Sequence, residues 1–233
     1  MRRVGSVSTV HAAATSSLLA GVLDAGCELV EVVRTRLSVH YETGRPDVPV
    51  LCVCTPDAVR LPNALVTSLL PTGDVSARTD GLVSRDGRWW VGRWWQPPRP
   101  TGRSARHPAS ASLDPMRLVG RGPGLTPAGD DELAGALVAA HAVGDPRLAG
   151  WRTATREALA ARRTTAVSRG LLHHALDGWA TPELAAYVDE ACTGLTGPAL
   201  ARLLELGHTS GRALADGVAH VMTARQVPRE GAA

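Results

Sequence analysis

The chain has 233 residues, a formal net charge of +3 and 44% hydrophobic content, enough for one large domain or two smaller ones with real cores. A charge this small does not by itself call for nucleic acid, and no apolar run approaches the roughly 20 residues of a membrane-spanning helix. Lys, Phe and Ile are absent and Asn63 is the only Asn, a pattern that a GC-rich genome explains. Every basic side chain is therefore Arg, which excludes Schiff-base and P-loop lysine chemistry and leaves anions to Arg, backbone N–H groups or a metal. The opening stretch MRRVGSVSTVHAAATSSLLAG lacks the apolar run of a secretory signal. Cys52 and Cys54 fall on one face of a strand, poor zinc spacing without partners. With Cys27 and Cys192 they read as free thiols suited to a reducing cytoplasm, the expected location.

The chain changes character near residue 110. Before it, a short helix is expected over residues 11–23, ending near Gly26. CELVEVVRTRLSVHYETG and VPVLCVCT are rich in Val and Thr with partial alternation and read as strands. DVSARTDGLVS and RWWVGRWW read as further strands, with a hairpin turn at Asp86-Gly87. The segment PPRPTGRSARHPASAS, from Pro97, reads as linker or surface loop. After residue 112 the signals are helical. One helix follows Pro127, and another covers about 147–163. A third runs from Thr164-Thr165 to Gly178, and a fourth from Thr181-Pro182 to Gly194. A short fifth runs from Pro198 to Gly207, and the last from Thr209-Ser210 to about residue 226. The expected fold class is α+β, a β-rich N-terminal half (1–110) packed with an all-helical C-terminal half (111–233), which could form a single domain.

The most informative segment is GRGPGLTPAGDDELAG at 120–135, a glycine-punctuated loop running into an apolar, buried helix. Thr126 is placed to cap that helix and Pro127 to occupy its first position. Asp130 and Asp131 suit a Mg²⁺ site or a polar clamp on a phosphate-bearing or carbamoyl ligand. The alternative is two acids that merely complement the helix dipole. The loop N–H groups could form an anion nest at the helix N-terminus, although Pro123 lacks a donor and the two acids repel an anion unless a cation sits between them. The alternative is a tight structural turn. In GHTSG, His208 could be an acid–base or orienting group, while Thr209 or Ser210 could simply cap the last helix. Thr164, Thr165 and Ser168 bring hydroxyls to another helix start, where capping explains one of them. His173 and His174 read as structural.

Three segments resemble the AllH-like family: GRGPGLTPAGDDELAG, RRTTAVSRGLLHHALDG and LLELGHTSGRALADGV, in the family's order and across most of residues 112–220. That family includes the AllH subunit of oxamate carbamoyltransferase, a three-subunit enzyme of anaerobic allantoin breakdown that moves a carbamoyl group between oxalurate and phosphate. The resemblance implies a subunit of a carbamoyl or related acyl transferase, with hetero-subunits as partners and a small anionic substrate such as carbamoyl phosphate, phosphate or an oxalurate-like acid. In that reading Asp130, Asp131 and His208 are the catalytic candidates. Gly122, Gly124, Leu125, Thr126, Gly129, Thr165, Ser168, Thr209, Ser210 and Gly211 line the substrate, Arg121 and Arg212 are candidate anion contacts, and Mg²⁺ is the candidate cofactor, held by Asp130 and Asp131.

A different class of reading is a non-catalytic assembly subunit. The stretch 85–106 interleaves Arg85, Arg88, Arg93, Arg99, Arg103 and Arg106 with Trp89, Trp90, Trp94 and Trp95. It reads first as a hairpin with alternating tryptophans and second as a partner-docking surface, since Trp and Arg are enriched at interface hot spots. Single-stranded nucleic acid comes a distant third.

Overall fold

The computed structural model describes residues 9–102, 113–193, 197–207 and 209–222. The fold class is α+β, as expected: eight strands within residues 10–95, then helices from 115 to 221. Two compact units are present, one comprising 1–98 with 164–174 and the other 99–163 with 175–233.

The first unit is a closed barrel. Its strands are β1 (Val10–Ser16), β2 (Cys27–Arg34), β3 (Ser38–Glu42), β4 (Val50–Cys54), β5 (Ala64–Thr67), β6 (Val75–Arg78), β7 (Gly81–Ser84) and β8 (Gly87–Trp95). They follow one another around the wall as β1-β5-β4-β3-β2-β6-β7-β8. The β4–β5 and β1–β8 pairs are parallel and the others antiparallel. Closure removes the sheet edges that would otherwise present unpaired backbone. Strand alternation sorts β4 into two cores. Leu51 and Val53 join Leu19, Val39, Tyr41, Leu65, Leu82 and Trp89 in the main core, while Cys52 and Cys54 lie in a second cluster with Ala64, Val66 and Trp95. None of the four cysteines is in a disulfide.

Residues 10–16 form β1 rather than helix; the helical turns are only a 3-10 segment at Ser17–Leu19 and α1 (Ala20–Ala25), closed by Gly26 at φ +66°. Alanine's helical preference amounts to a few tenths of a kcal/mol per residue, and β1 overrides it by pairing with both β5 and β8 to close the wall. DVSARTDGLVS is two strands, β6 and β7. The next turn has Arg85 and Asp86 at its centre, one residue earlier than expected, with Gly87 paired to Ser84. β5 went unpredicted, because four residues after a Pro-Asn turn give too short an apolar run to distinguish from loop. In β8, Trp89 is buried and donates its indole N–H to Leu69 O at 2.6 Å. Its neighbour Trp90 is exposed and lies over Gly92, the residue skipped in the β1–β8 register.

The remaining helices are α2 (Pro115–Leu118), α3 (Ala128–Val143), α4 (Leu148–Ala161), α5 (Ala166–Ala175), α6 (Pro182–Thr193), α7 (Pro198–Leu204) and α8 (Ser210–Val221). α2 was not expected; Asp114 caps it by accepting the Met116 N–H. Residues 97–102 have no regular structure, and the rest of the expected linker lies outside the described residues. Almost all of α5 belongs with the barrel. Its Arg169 pairs with Glu42, its His173 donates to Asp47 O at 2.8 Å, and Gly170 sits against Val50 and Asn63.

In the second unit α3 and α8 are in intimate contact. A Cβ added at Gly135 would lie 2.1 Å from Leu214 O, and one at Gly217 would lie 1.9 Å from Glu132 O. Backbone therefore rests on backbone. Gly217→Ala sets two effects against each other: alanine favours a helix interior by about 1 kcal/mol, whereas the added methyl overpacks the crossing at a cost of about 1–3 kcal/mol or more. The contact at 1.9 Å decides the sign. Urea denaturation is expected to show Gly217→Ala destabilised, and a stabilised variant would contradict the crossing.

Candidate functional site

The site is assembled where the glycine loop enters α3. Gly120, Gly122 and Gly124 have φ of +74°, +110° and +99°, conformations that a side chain resists. The loop closes on itself through backbone bonds. Arg121 N–H donates to Leu118 O, and Gly129 N–H donates to Arg121 O, both at 2.9 Å. Gly129 is required for packing: a Cβ there would lie 2.2 Å from Leu118 O. Gly124 faces open space and Leu125 is exposed.

Pro127 occupies the cap position of α3 and Ala128 begins the helix, one residue later than expected. Thr126 is thereby released from capping, and its Oγ1 lies 2.9 Å from Ser210 Oγ, in the first turn of α8. The N–H groups of Asp130 and Asp131 are both turned to Pro127 O. With those of Gly120, Arg121 and Gly129, five donors of the loop and helix entry are thus used internally, so none of the five is available to an anion nest.

The adjacent acids have different fates. Asp130 is fully buried, and its Oδ1 accepts the Gly120 N–H at 2.8 Å, so it braces the loop. Asp131 is equally buried, but its Oδ2 has no hydrogen-bond partner. Burial pushes the Asp131 carboxyl up to about 6. Hydrogen bonding to Ser210 and Thr126 opposes the rise, and the neighbouring Asp130 charge adds to it. The result is a carboxyl that exchanges its proton near neutrality, beside two hydroxyls, with one oxygen left to bond. This arrangement can hold an amide N–H and transfer a proton.

Of the other predicted residues, Gly211 is committed to packing, since a Cβ there would lie 1.9 Å from Leu203 O. Thr209 stands at the α8 cap position without a side-chain cap bond and is exposed. Arg212 forms a surface pair with Asp216 at 3.0 Å, and Arg121 pairs with Glu132; neither guanidinium is held ready for a ligand. His208 lies outside the described residues. Thr165 and Ser168 belong to the barrel unit. Thr165 Oγ1 accepts the Ser168 N–H at 3.0 Å, the capping alternative. The Ser168 hydroxyl is buried without a partner.

Glu132 and His220 also meet at this site, without a motif of their own in the sequence. Glu132 pairs with Arg121 and lies 3.5 Å from His220 Nδ1. The only sequence signal was its place directly after the two aspartates, because both partners are distant in the chain. Among the described residues no group of three or more His, Cys, Asp or Glu side chains is arranged to hold a metal ion, and no helix is long and apolar enough to cross a membrane.

Residues 118–222 match the family of the oxamate carbamoyltransferase subunit AllH. The matched stretch contains the glycine loop, both aspartates, α5 and α8, so the AllH-like resemblance seen in the three motifs is real over this region. The barrel strands lie outside it. No solved structure matches the chain.

The raised Asp131 gives a signed pH dependence. The neutral carboxyl is the form this environment favours, so the stability it carries is complete below the ordinary value of 3.8 and is lost as pH rises through about 6. Asp131→Asn removes the charged form. It is expected to gain on wild type across that window by about 2–3 kcal/mol, a figure reduced by whatever relaxation the site allows. Chemical denaturation of both proteins from pH ~4 to ~7 measures it; parallel curves would contradict the burial of an ionisable Asp131.

Proposed function

We propose that the chain is a subunit of a carbamoyl or related acyl transferase and that the Asp131–Ser210–Thr126 cluster holds a small anionic substrate. The supporting observation is the buried Asp131 carboxyl, one oxygen unpartnered, beside two hydroxyls from separate elements. The family name carried by residues 118–222 supplies the reaction class, and nitrogen or purine catabolism is its expected setting. Carbamoyl transfer builds negative charge on a carbonyl oxygen and requires a proton to move at the attacking or leaving atom. In this reading one of the Ser210 and Thr126 hydroxyls donates to the other, and the proton left over is donated to the carbonyl oxygen. Asp131 Oδ2 accepts from the NH₂ group of the carbamoyl, and the same carboxyl takes up or returns the proton. His208 and the backbone donors of Gly122 and Gly124 are assigned to the anionic end.

Mg²⁺ fits these residues less well. It demands near-octahedral oxygen ligation, while one Asp130 oxygen already holds the Gly120 N–H and burial pushes the Asp131 carboxyl up to about 6. Phosphate oxygens and water would have to complete the set, so no step is assigned to the metal.

Calorimetric titration with carbamoyl phosphate, with and without Mg²⁺, tests the proposal. Asp131→Asn and Ser210→Ala are each expected to weaken binding by about tenfold or more, the scale of a hydrogen bond to a charged group. Unchanged affinity in both folded variants would refute the assignment. A metal-dependent signal lost only in Asp130→Ala would restore the metal.

One observation favours a second reading, a non-catalytic assembly subunit. Trp90 and Trp94 on β8 are about half exposed, 52% and 46%, unusual for side chains whose burial is so favourable. Under this reading Trp90→Ala with Trp94→Ala releases a co-purifying subunit, whereas Asp131→Asn retains it.

A further inference from the structure

We propose that the outer wall of the barrel carries a separate binding site for a compact anion with a planar face. The strand register places four residues in one row across the wall: Cys54 of β4 beside Val66 of β5, Val66 beside Ala14 of β1, and Ala14 beside Arg93 of β8. Ala14 is the small member of that row, and the space above it is a cavity of about 290 Å³ lined by Ala14, Arg60, Val66, Arg93 and Trp95. This is close to the lower end of small-molecule pockets, about 300 Å³.

The lining sets the ligand class. The Arg60 guanidinium lies over the Trp95 ring at 5.5 Å from its centre, a cation–π arrangement that pre-orients it. Six other arginines of the same unit meet acids: Arg34 with Glu31, Arg45 with Asp47, Arg78 with Glu28, Arg85 with Asp86, Arg88 with Asp80, and Arg169 with Glu42. Among the described residues no carboxylate pairs with Arg60 or Arg93. Two guanidinium groups facing one cavity without a counter-charge repel each other, and a bound carboxylate or phosphate relieves that repulsion through charge-assisted hydrogen bonds. Val66, Ala14 and the Trp95 ring provide the apolar surface for a flat group. The site lies outside the family-matched residues 118–222 and within the barrel unit, whereas Asp131 belongs to the other unit.

The test is an NMR titration of the side-chain N–H signals of tryptophan and arginine with benzoate, using benzamide as the neutral control of the same shape. Benzoate is expected to move the Trp95 indole and Arg93 signals saturably, and benzamide to move them little. Arg60→Gln with Arg93→Gln is expected to weaken benzoate by about tenfold or more. Ala14→Leu, which fills the cavity, is expected to abolish the response, and Asp131→Asn to leave it unchanged. The proposal is overturned if Trp95 shows no saturable shift, if benzamide matches benzoate, or if benzoate binding survives in the folded double Gln variant.

Discussion

Everything at the candidate site depends on the closeness with which α3 and α8 approach. Glycines at 135 and 217 let the backbone of each helix rest on the other, and this approach fixes where Ser210 stands relative to Thr126 and Asp131. A hydroxyl–hydroxyl contact of 2.9 Å between residues 84 positions apart has no local cause. It exists because two helix entries are held rigidly by a contact that tolerates no side chain. A hydrogen-bond network built on such a scaffold is more exact than one built on loops alone.

The two acids that follow the loop illustrate how environment assigns roles to identical side chains. Asp130 is satisfied by the Gly120 N–H and serves the loop's shape. Asp131, one residue on, is turned toward hydroxyls and retains an unbonded oxygen in a buried position. Such an atom costs stability in the free protein. A ligand that supplied the missing donor would recover that cost. Glu132 follows directly, pairing with Arg121 and lying 3.5 Å from His220 Nδ1.

Much of this was readable in the sequence. The Gly, Pro and Thr signals located most helix boundaries, and the motif 120–135 located the loop and its acids. Thr181 does cap α6, accepting the Leu184 N–H at 3.3 Å. The barrel's closure was not readable, because β1 is a run of small residues whose strand identity comes from partners at 64–67 and 87–95. Asp131's distinction from Asp130 was equally hidden. It rests on a one-residue shift of the α3 start, which frees Thr126 for Ser210. Long-range pairing decides both cases, and local patterns carry little of it.

The proposed site stands or falls with Asp131 as a buried carboxyl whose proton exchanges near neutrality. The most direct measurement follows its carboxyl carbon by ¹³C NMR as a function of pH, alone and with carbamoyl phosphate. A midpoint near 6 is expected in the free protein, displaced when the ligand binds. A midpoint at the ordinary carboxylate value of 3.8, indifferent to ligand, would contradict it.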